Sequence, residues 1–377
     1  MESLRINYIM YWTGRDGGIR VLFNFMNELV KSGYEISLTT MYYYDWFPLS
    51  RDIKIISKRT RFNQYLLSGK LRLFKNNELL HRVRYLKKLY DMVPRADINV
   101  ATFSPTAYVA SWKSMDGSIP FYHMQHFETI MFSNPLMKKF VSDTYSLPIY
   151  KIANSKWLQK KLTLLTGNEY PIVNPATEHE IFYPRNGHQR DGRDINIIAL
   201  GKGGWKNAVG IFYAVNLVRS KFPEKKIILH FFGQSPPQGI QFDNRETIFH
   251  KNLSDDQLAE LYSNSDIQVT FSTAESFPLP PLEAMACGSA VITTPYGTED
   301  YAVDGLNALI VEPNNVEMLA DKIRLLIENE GLRKKLTENG FKTASKFNYP
   351  EQTKILEAQF KLALNQDQNS EFKRMVL

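Results

Sequence analysis

Apolar and polar positions along this chain follow two periods that repeatedly trade places. The chain opens with an apolar run, "RINYIMYW", suited to a buried strand. Ile19, Leu22, Phe23, Met26, Leu29 and Val30 then recur at helical spacing, Gly33 supplies a stop, and "YEISLTT" returns to strand character. This order predicts a strand–helix–strand unit of a parallel sheet. More strands are expected at "DINVATF" and "IPFYHMQH", with "YKIANS" as another candidate. The polar stretch 184–194, "PRNGHQRDGRD", has linker composition. After it the alternation restarts: strand "INIIALG", a helix over 208–219, strand "KIILHFFG", a helix capped by Ser254, strand "DIQVTFS", helix "LEAMAC" and strand "SAVITT". From Val316 onward the pattern is mostly helical.

Two successive runs of this kind predict an α/β protein of two doubly wound, Rossmann-like domains facing across a cleft. The boundaries expected are 1–187 for the first domain and 188–350 for the second. A final segment, 351–377, is expected to be a helix crossing back to the first. Ligands of such sheets bind at the carboxyl ends of the strands, so motifs that follow strands carry the chemistry.

Composition changes this picture in two ways. The chain has 377 residues, of which 44% are hydrophobic and 23% charged, enough apolar material for two cores. One cysteine, Cys287, excludes an internal disulfide and points to a reducing, cytoplasmic setting. The start of the chain is expected to be a buried strand rather than a signal peptide, and no run has the length of a membrane span. The net charge of +7 is not evenly spread. Over 51–95, thirteen lysines and arginines face three acids, an excess of +10, so the remainder is slightly acidic. Apolar residues in "KLRLFKNNELLHRVRYLKKLY" fall broadly on one helical side. That pattern suits an anionic membrane surface, or equally a core helix with a solvated basic face. The aromatics of 39–48, "TTMYYYDWFP", suit a sugar-stacking platform, a membrane edge or plain core.

The densest chemistry lies in "ESFPLPPLEAMACG". Glu275 follows a strand, three prolines force a tight loop, and a helix is expected to begin near Pro281, with Glu283 just inside it. A helix start with free N–H groups is an anion site. Carboxylates flanking an anion need other partners, and the diols of a sugar and a ribose suit them. A nucleotide sugar satisfies all of these; the plain alternative is a capped surface helix with two incidental acids.

"FSTAESFPLPPLEAMACGSAVITTPYGTEDYAVDGLNALIVEP" resembles the donor-binding signature of the retaining glycosyltransferases of family 4, which have the GT-B fold. Weaker likenesses extend over nearly the whole chain, at "GGIRVLFNFMNELVKSGYEISL", "ANSKWLQKKL", "VNPATEHEIFYP" and "LGKGGWKN". The resemblance implies that Glu275 contacts the donor sugar, Glu283 the ribose, and the backbone at Ser276, Phe277 and Pro278 the sugar and diphosphate. The family's Gly–Phe–Gly is Ser276–Phe277–Pro278 here. Pro278 has no N–H, so one backbone contact is lost or passes to Leu279.

Three further motifs follow strands. Lys202 and Lys206 flank a Gly-Gly turn in "LGKGGWKN" and can both approach a diphosphate; the plain alternative is a solvated basic turn. Lys202 stands where the family has arginine. Gly17 and Gly18 open the first helix, whose N-terminus can also meet the diphosphate, or are an ordinary turn. No G-x-G-x-x-G fingerprint occurs here, which argues against an oxidoreductase. His126, in "FYHMQHFE", occupies the place where the family often has a histidine near the anomeric carbon, or is a structural histidine.

The function implied is hexosyl transfer with retention, from a nucleoside-diphosphate sugar to a glycan or lipid-linked acceptor, in polysaccharide or glycolipid biosynthesis. The protein is expected to stabilise the leaving group, with no metal and no cofactor beyond the donor substrate. Two alternatives stay open: a nucleotide-sugar epimerase of the same fold and a basic nucleic-acid-binding protein. The latter leaves the donor motif unexplained, so no nucleic acid is expected. Neither the base, the sugar nor the acceptor is legible.

Overall fold

The structure, a computed structural model, describes residues 3–58, 78–185 and 194–368. The chain divides into two compact units. The first comprises Met1–Asn154, Leu158–Asn174 and Tyr349–Leu377, and the second Ser155–Trp157 and Pro175–Asn348.

The first unit is built on a six-stranded parallel sheet in the order β3-β2-β1-β4-β5-β6. The strands are β1 (Arg5–Trp12), β2 (Glu35–Tyr42), β3 (Lys54–Ser57), β4 (Ile98–Ala101), β5 (Ile119–Met124) and β6 (Tyr150–Ala153). The apolar stripe of helix Gly17–Lys31 packs down through Val21, Leu22, Phe25, Met26 and Leu29, all buried. Helix Tyr349–Gln368 belongs to this unit: Phe360 meets Phe121 of β5 edge-on at 4.9 Å, and Tyr349 meets Phe25 at 5.4 Å. Strand order reverses between β1 and β4, so the crevice of this sheet opens at their carboxyl ends.

The second unit repeats the plan in the order β12-β11-β10-β7-β8-β9. Its strands are β7 (Asp194–Leu200), β8 (Lys226–Gly233), β9 (Thr247–Lys251), β10 (Ile267–Val269), β11 (Ala290–Thr293) and β12 (Leu309–Ile310). Ile197, Leu229, Val269 and Ile292 form one face of the core, and Ile198, Leu282, Met285 and Val291 the other. Two doubly wound sheets in one chain are the GT-B fold.

Two details differ from the sequence reading. The division of the chain falls between Asn174 and Pro175, ahead of the polar stretch at 184–194, part of which lies outside the described residues. The segment after Pro175 already packs with the second unit: Phe182 is fully buried beside Tyr262, and Thr177 N–H donates to the Phe347 carbonyl at 3.1 Å. The basic segment 51–95 contains β3 and, in helix Glu78–Met92, buried Leu86 and Leu89 beneath exposed Lys87 and Lys88. Residues 59–77, where much of the expected membrane-facing charge lies, are outside the described residues.

Candidate functional site

In the second sheet the order reverses between β7 and β10, which pair in parallel from Ile197↔Ile267 to Ala199↔Val269. The chain leaves β7 toward β8 on one side and β10 toward β11 on the other. Their loops therefore part at the carboxyl end and leave a crevice. The loop after β7 carries Lys202 and a short 3-10 turn, Gly204–Lys206. Asn207 follows in the left-handed region, φ 52°, and its side chain caps helix Ala208–Lys221 by accepting from Gly210 N–H at 3.1 Å. Thr273 N–H, on the loop after β10, donates to the Trp205 carbonyl at 2.8 Å and ties the two loops together.

Across that tie, the Lys206 ammonium donates to the Glu275 carboxylate. Both side chains are largely withdrawn from water, Glu275 at 8% exposure and Lys206 at 18%. A pocket beside the pair is lined by Leu200, Lys206, Ser272, Glu275, Pro278 and Pro280. Lys202 turns its ammonium over the Trp205 ring, 5.5 Å from the centroid.

The 275–278 loop is fixed from beneath. The Phe277 ring is core, 5.2 Å from Tyr301 and 5.9 Å from Phe347, which leaves its backbone as the part able to meet a ligand. The Tyr301 hydroxyl donates to the Pro278 carbonyl at 2.8 Å. Gly297, at φ +71°, presses on the same loop: a Cβ there would lie 2.5 Å from the Ser276 carbonyl oxygen. Ser155 Oγ lies 3.4 Å from Ser276 Oγ.

The helix after this loop begins at Leu279, two residues ahead of the start expected from the prolines. First-turn residues need no intrahelical N–H, so Pro280 and Pro281 fit there without loss. The arrangement has a chemical consequence. Of the four N–H groups that a helix start leaves unsatisfied, the positions Pro278, Pro280 and Pro281 have none, and Leu279 alone can donate. Glu283 is 5% exposed within the helix and accepts from the Tyr262 hydroxyl at 3.4 Å. At the helix end Cys287 is buried; burial, with the Glu283 carboxylate adding to it, pushes its thiol up to about 12.

The remaining expected residues lie in the first unit. Gly17 and Gly18 open helix Gly17–Lys31, and Asp16 caps it by accepting the Gly18 N–H at 3.0 Å. The N–H that the sequence reading offers to a diphosphate is thus held by a carboxylate. His126 is half-buried on the loop after β5. That loop is anchored by Glu128, which no sequence motif marks. Its carboxylate accepts from Ser104 N–H at 2.8 Å, the Tyr122 hydroxyl at 2.9 Å and the Ser104 hydroxyl, and its N–H donates to the Tyr145 oxygen at 2.9 Å. Glu128 is 2% exposed. Burial foremost, and the Glu128 carboxylate next, hold the Tyr122 hydroxyl far above the ordinary phenol range.

Residues 205–343 match the family model of glycosyl transferases group 1. The chain is 23% identical over 386 residues to poly(glycerol-phosphate) alpha-glucosyltransferase of Bacillus subtilis, a match covering 92% of this chain and 54% of that one. It is 39% identical over 95 residues to an uncharacterized glycosyltransferase of Methanocaldococcus jannaschii, covering 25% and 27%. The chain thus spans about half the length of the first relative and about a quarter of the second. Among solved structures, Anabaena HepE in complex with UDP-glucose superposes with a TM-score of 0.70 at 15% identity, over 95% of this chain and all of that one. This likeness is one of fold.

Proposed function

We propose that this protein transfers a sugar from a nucleoside-diphosphate donor to a glycan or lipid-linked acceptor, with retention at the anomeric carbon. The observation that carries the reading is the Lys206–Glu275 pair at the switch point. Each side chain neutralises the other. A nucleotide sugar offers each a replacement, the diphosphate for Lys206 and sugar hydroxyls for Glu275. Lys202 adds a second positive charge, and Leu279 N–H a single backbone donor, for the leaving diphosphate. Glu283 serves the ribose, and Ser276, Phe277 and Pro278 line the sugar and diphosphate with backbone.

Leaving-group charge grows as the glycosidic bond breaks, so cations placed there stabilise the transition state more than the bound donor. The departing diphosphate takes the acceptor's proton on the same face of the sugar, and the reaction needs neither a strong protein base nor a metal. A polymeric acceptor is supported by the name of the Bacillus subtilis relative, which acts on poly(glycerol-phosphate), and the nucleotide donor by the UDP-glucose bound to HepE. Among the described residues no helix is long and apolar enough to cross a membrane. Work at the cytoplasmic face of a membrane, through the charge of 51–95, is part of the same proposal.

A thermal-shift panel of sugar nucleotides tests the reading, because a ligand that binds only the native state raises stability by mass action. Stabilisation by one nucleotide sugar, with transfer abolished and nucleotide-diphosphate binding kept in Glu275→Ala, is expected. No stabilisation by any nucleotide sugar or diphosphate, or normal transfer by Glu275→Ala, overturns it.

A further inference from the structure

At the carboxyl end of β1, beside the switch point of the first sheet, stands a tryptophan whose setting the donor chemistry does not explain. Trp12 is the last residue of β1 and is 41% exposed. Its indole lies on the backbone of Gly14: a Cβ at residue 14 would come 1.9 Å from Trp12 Cζ3, so only glycine admits the ring. Tyr44 braces it edge-on, with centroids 6.3 Å apart and planes at 88°.

The support is rigid. Thr13 is fully buried and buckles the loop after β1 to the loop after β2. Its N–H donates to the Tyr42 carbonyl at 3.1 Å, its hydroxyl oxygen accepts from Tyr44 N–H at 2.7 Å, and its carbonyl accepts from the Trp46 indole N–H at 2.7 Å. Arg15 lies over the Trp46 ring at 6.0 Å. The aromatics of 39–48 are thereby sorted. Phe47 is core, while Tyr44 and Trp46 hold the platform that Trp12 exposes.

We propose that Trp12 is a stacking platform for a pyranose ring of the acceptor glycan. The proposal rests on the glycosyl-transfer reading and deepens it. A pyranose presents a patch of C–H groups on one face and hydroxyls around its rim. A flat, pre-positioned indole buries that patch with little ordering cost, and the rim stays free for polar neighbours and water. A residue built only to fill the core would not leave two-fifths of its surface open at the ligand end of the sheet. A membrane edge would not need the three-point Thr13 buckle, because lipid imposes no fixed ring orientation. Trp12 is thus a binding and specificity residue, outside the reacting centre.

The test uses the full chain and saturation-transfer NMR with methyl hexopyranosides and maltotriose as probes, alongside binding of UDP, GDP and ADP. Expected is transfer to the C–H protons of one pyranose face in the parent, weakened about 10-fold or more in Trp12→Ala and within about 3-fold of the parent in Trp12→Phe. Gly14→Ala, which keeps the indole but displaces it, is expected to behave like Trp12→Ala. Nucleotide affinity is expected to stay within about 2-fold throughout. If a nucleotide binds but no glycoside signal depends on Trp12, the platform is overturned and the transferase reading stands. If no nucleotide or nucleotide sugar binds the parent, the transferase reading fails and takes the platform with it. Trp12-dependent binding to phosphatidylglycerol vesicles without any glycoside signal also overturns it.

Discussion

Lys206 and Glu275 lie 69 residues apart in sequence and form one withdrawn ion pair between the loops after β7 and β10. Removing one partner leaves the other charge poorly solvated, whereas removing both does not. Lys206→Ala and Glu275→Gln are each expected to destabilise the protein, and the double variant by clearly less than their sum. A coupling of about 1 kcal/mol or more in urea unfolding is expected, and additive losses would show that the pair is open to water. In turnover, Lys206→Ala is expected to lower kcat by about 10²-fold, with a smaller change in donor KM.

Leu279 supplies the single N–H of its helix start, which makes backbone donation testable by side-chain substitution. Proline is well suited to a first helical position, so Leu279→Pro removes the donor and keeps the helix. It is expected to weaken nucleoside-diphosphate binding by about 1–3 kcal/mol relative to Leu279→Ala, which controls for the lost side chain. Equal affinities by calorimetry would remove Leu279 from the diphosphate site.

Gly297→Ala brings a Cβ against the Ser276 carbonyl at a positive φ. The strain is expected to cost about 2 kcal/mol or more and, because it displaces the 275–278 loop, to weaken nucleotide binding as well. Gly305→Ala is the control: it shares a positive φ, +70°, with nothing within 4 Å of the added methyl. Similar losses in the two would leave only backbone strain and no special role for the loop contact.

Acid is expected to destabilise the protein in a defined window. Burial lowers His123 to about 4; burial and then His250 lower His230 to about 4, and burial lowers His250. Above about pH 6.5 these rings are neutral in both states and stability is flat with respect to them. As pH falls from there toward 4, the unfolded chain takes up protons that the folded rings refuse, and stability drops. Fully buried His123 accounts for about 3 kcal/mol of this. His123→Gln is expected to flatten the pH dependence of the urea midpoint between pH 7 and 4.5. An unchanged slope would exclude His123 as its source.

What the sequence alone makes legible depends on whether a feature is local or tertiary. Long apolar runs such as "INIIALG" and "KIILHFFG" keep one face continuously buried, through Ile195, Ile197 and Ala199 in β7 and Ile227, Leu229 and Phe231 in β8, so both strands stand out from local pattern. β3 and β12 do not, since one is a four-residue edge strand with no fully buried position and the other has two residues. The prolines of 278–281 marked a helix start correctly in kind and two residues late in place, because a first turn tolerates several of them. Lys206, Glu275 and Pro278 were singled out by their spacing after strands and by the resemblance, and the structure places all three around one pocket. The partners that hold them were not. Gly297, Thr273 and Tyr301 act across tertiary contacts, and so does Glu128, through Ser104, Tyr122 and Tyr145.

Cys287 carries a last consequence. Its thiol is buried at the end of the helix that holds Glu283, and it stays protonated at neutral pH. Alkylating reagents need the thiolate and access, so the native chain is silent to them. Every modification event therefore marks a moment when this helix has lifted away from its sheet. As the chain's one thiol, it makes the protein its own stopwatch: the rate of labelling counts how often the second unit opens, and nucleotide binding there is expected to slow the count.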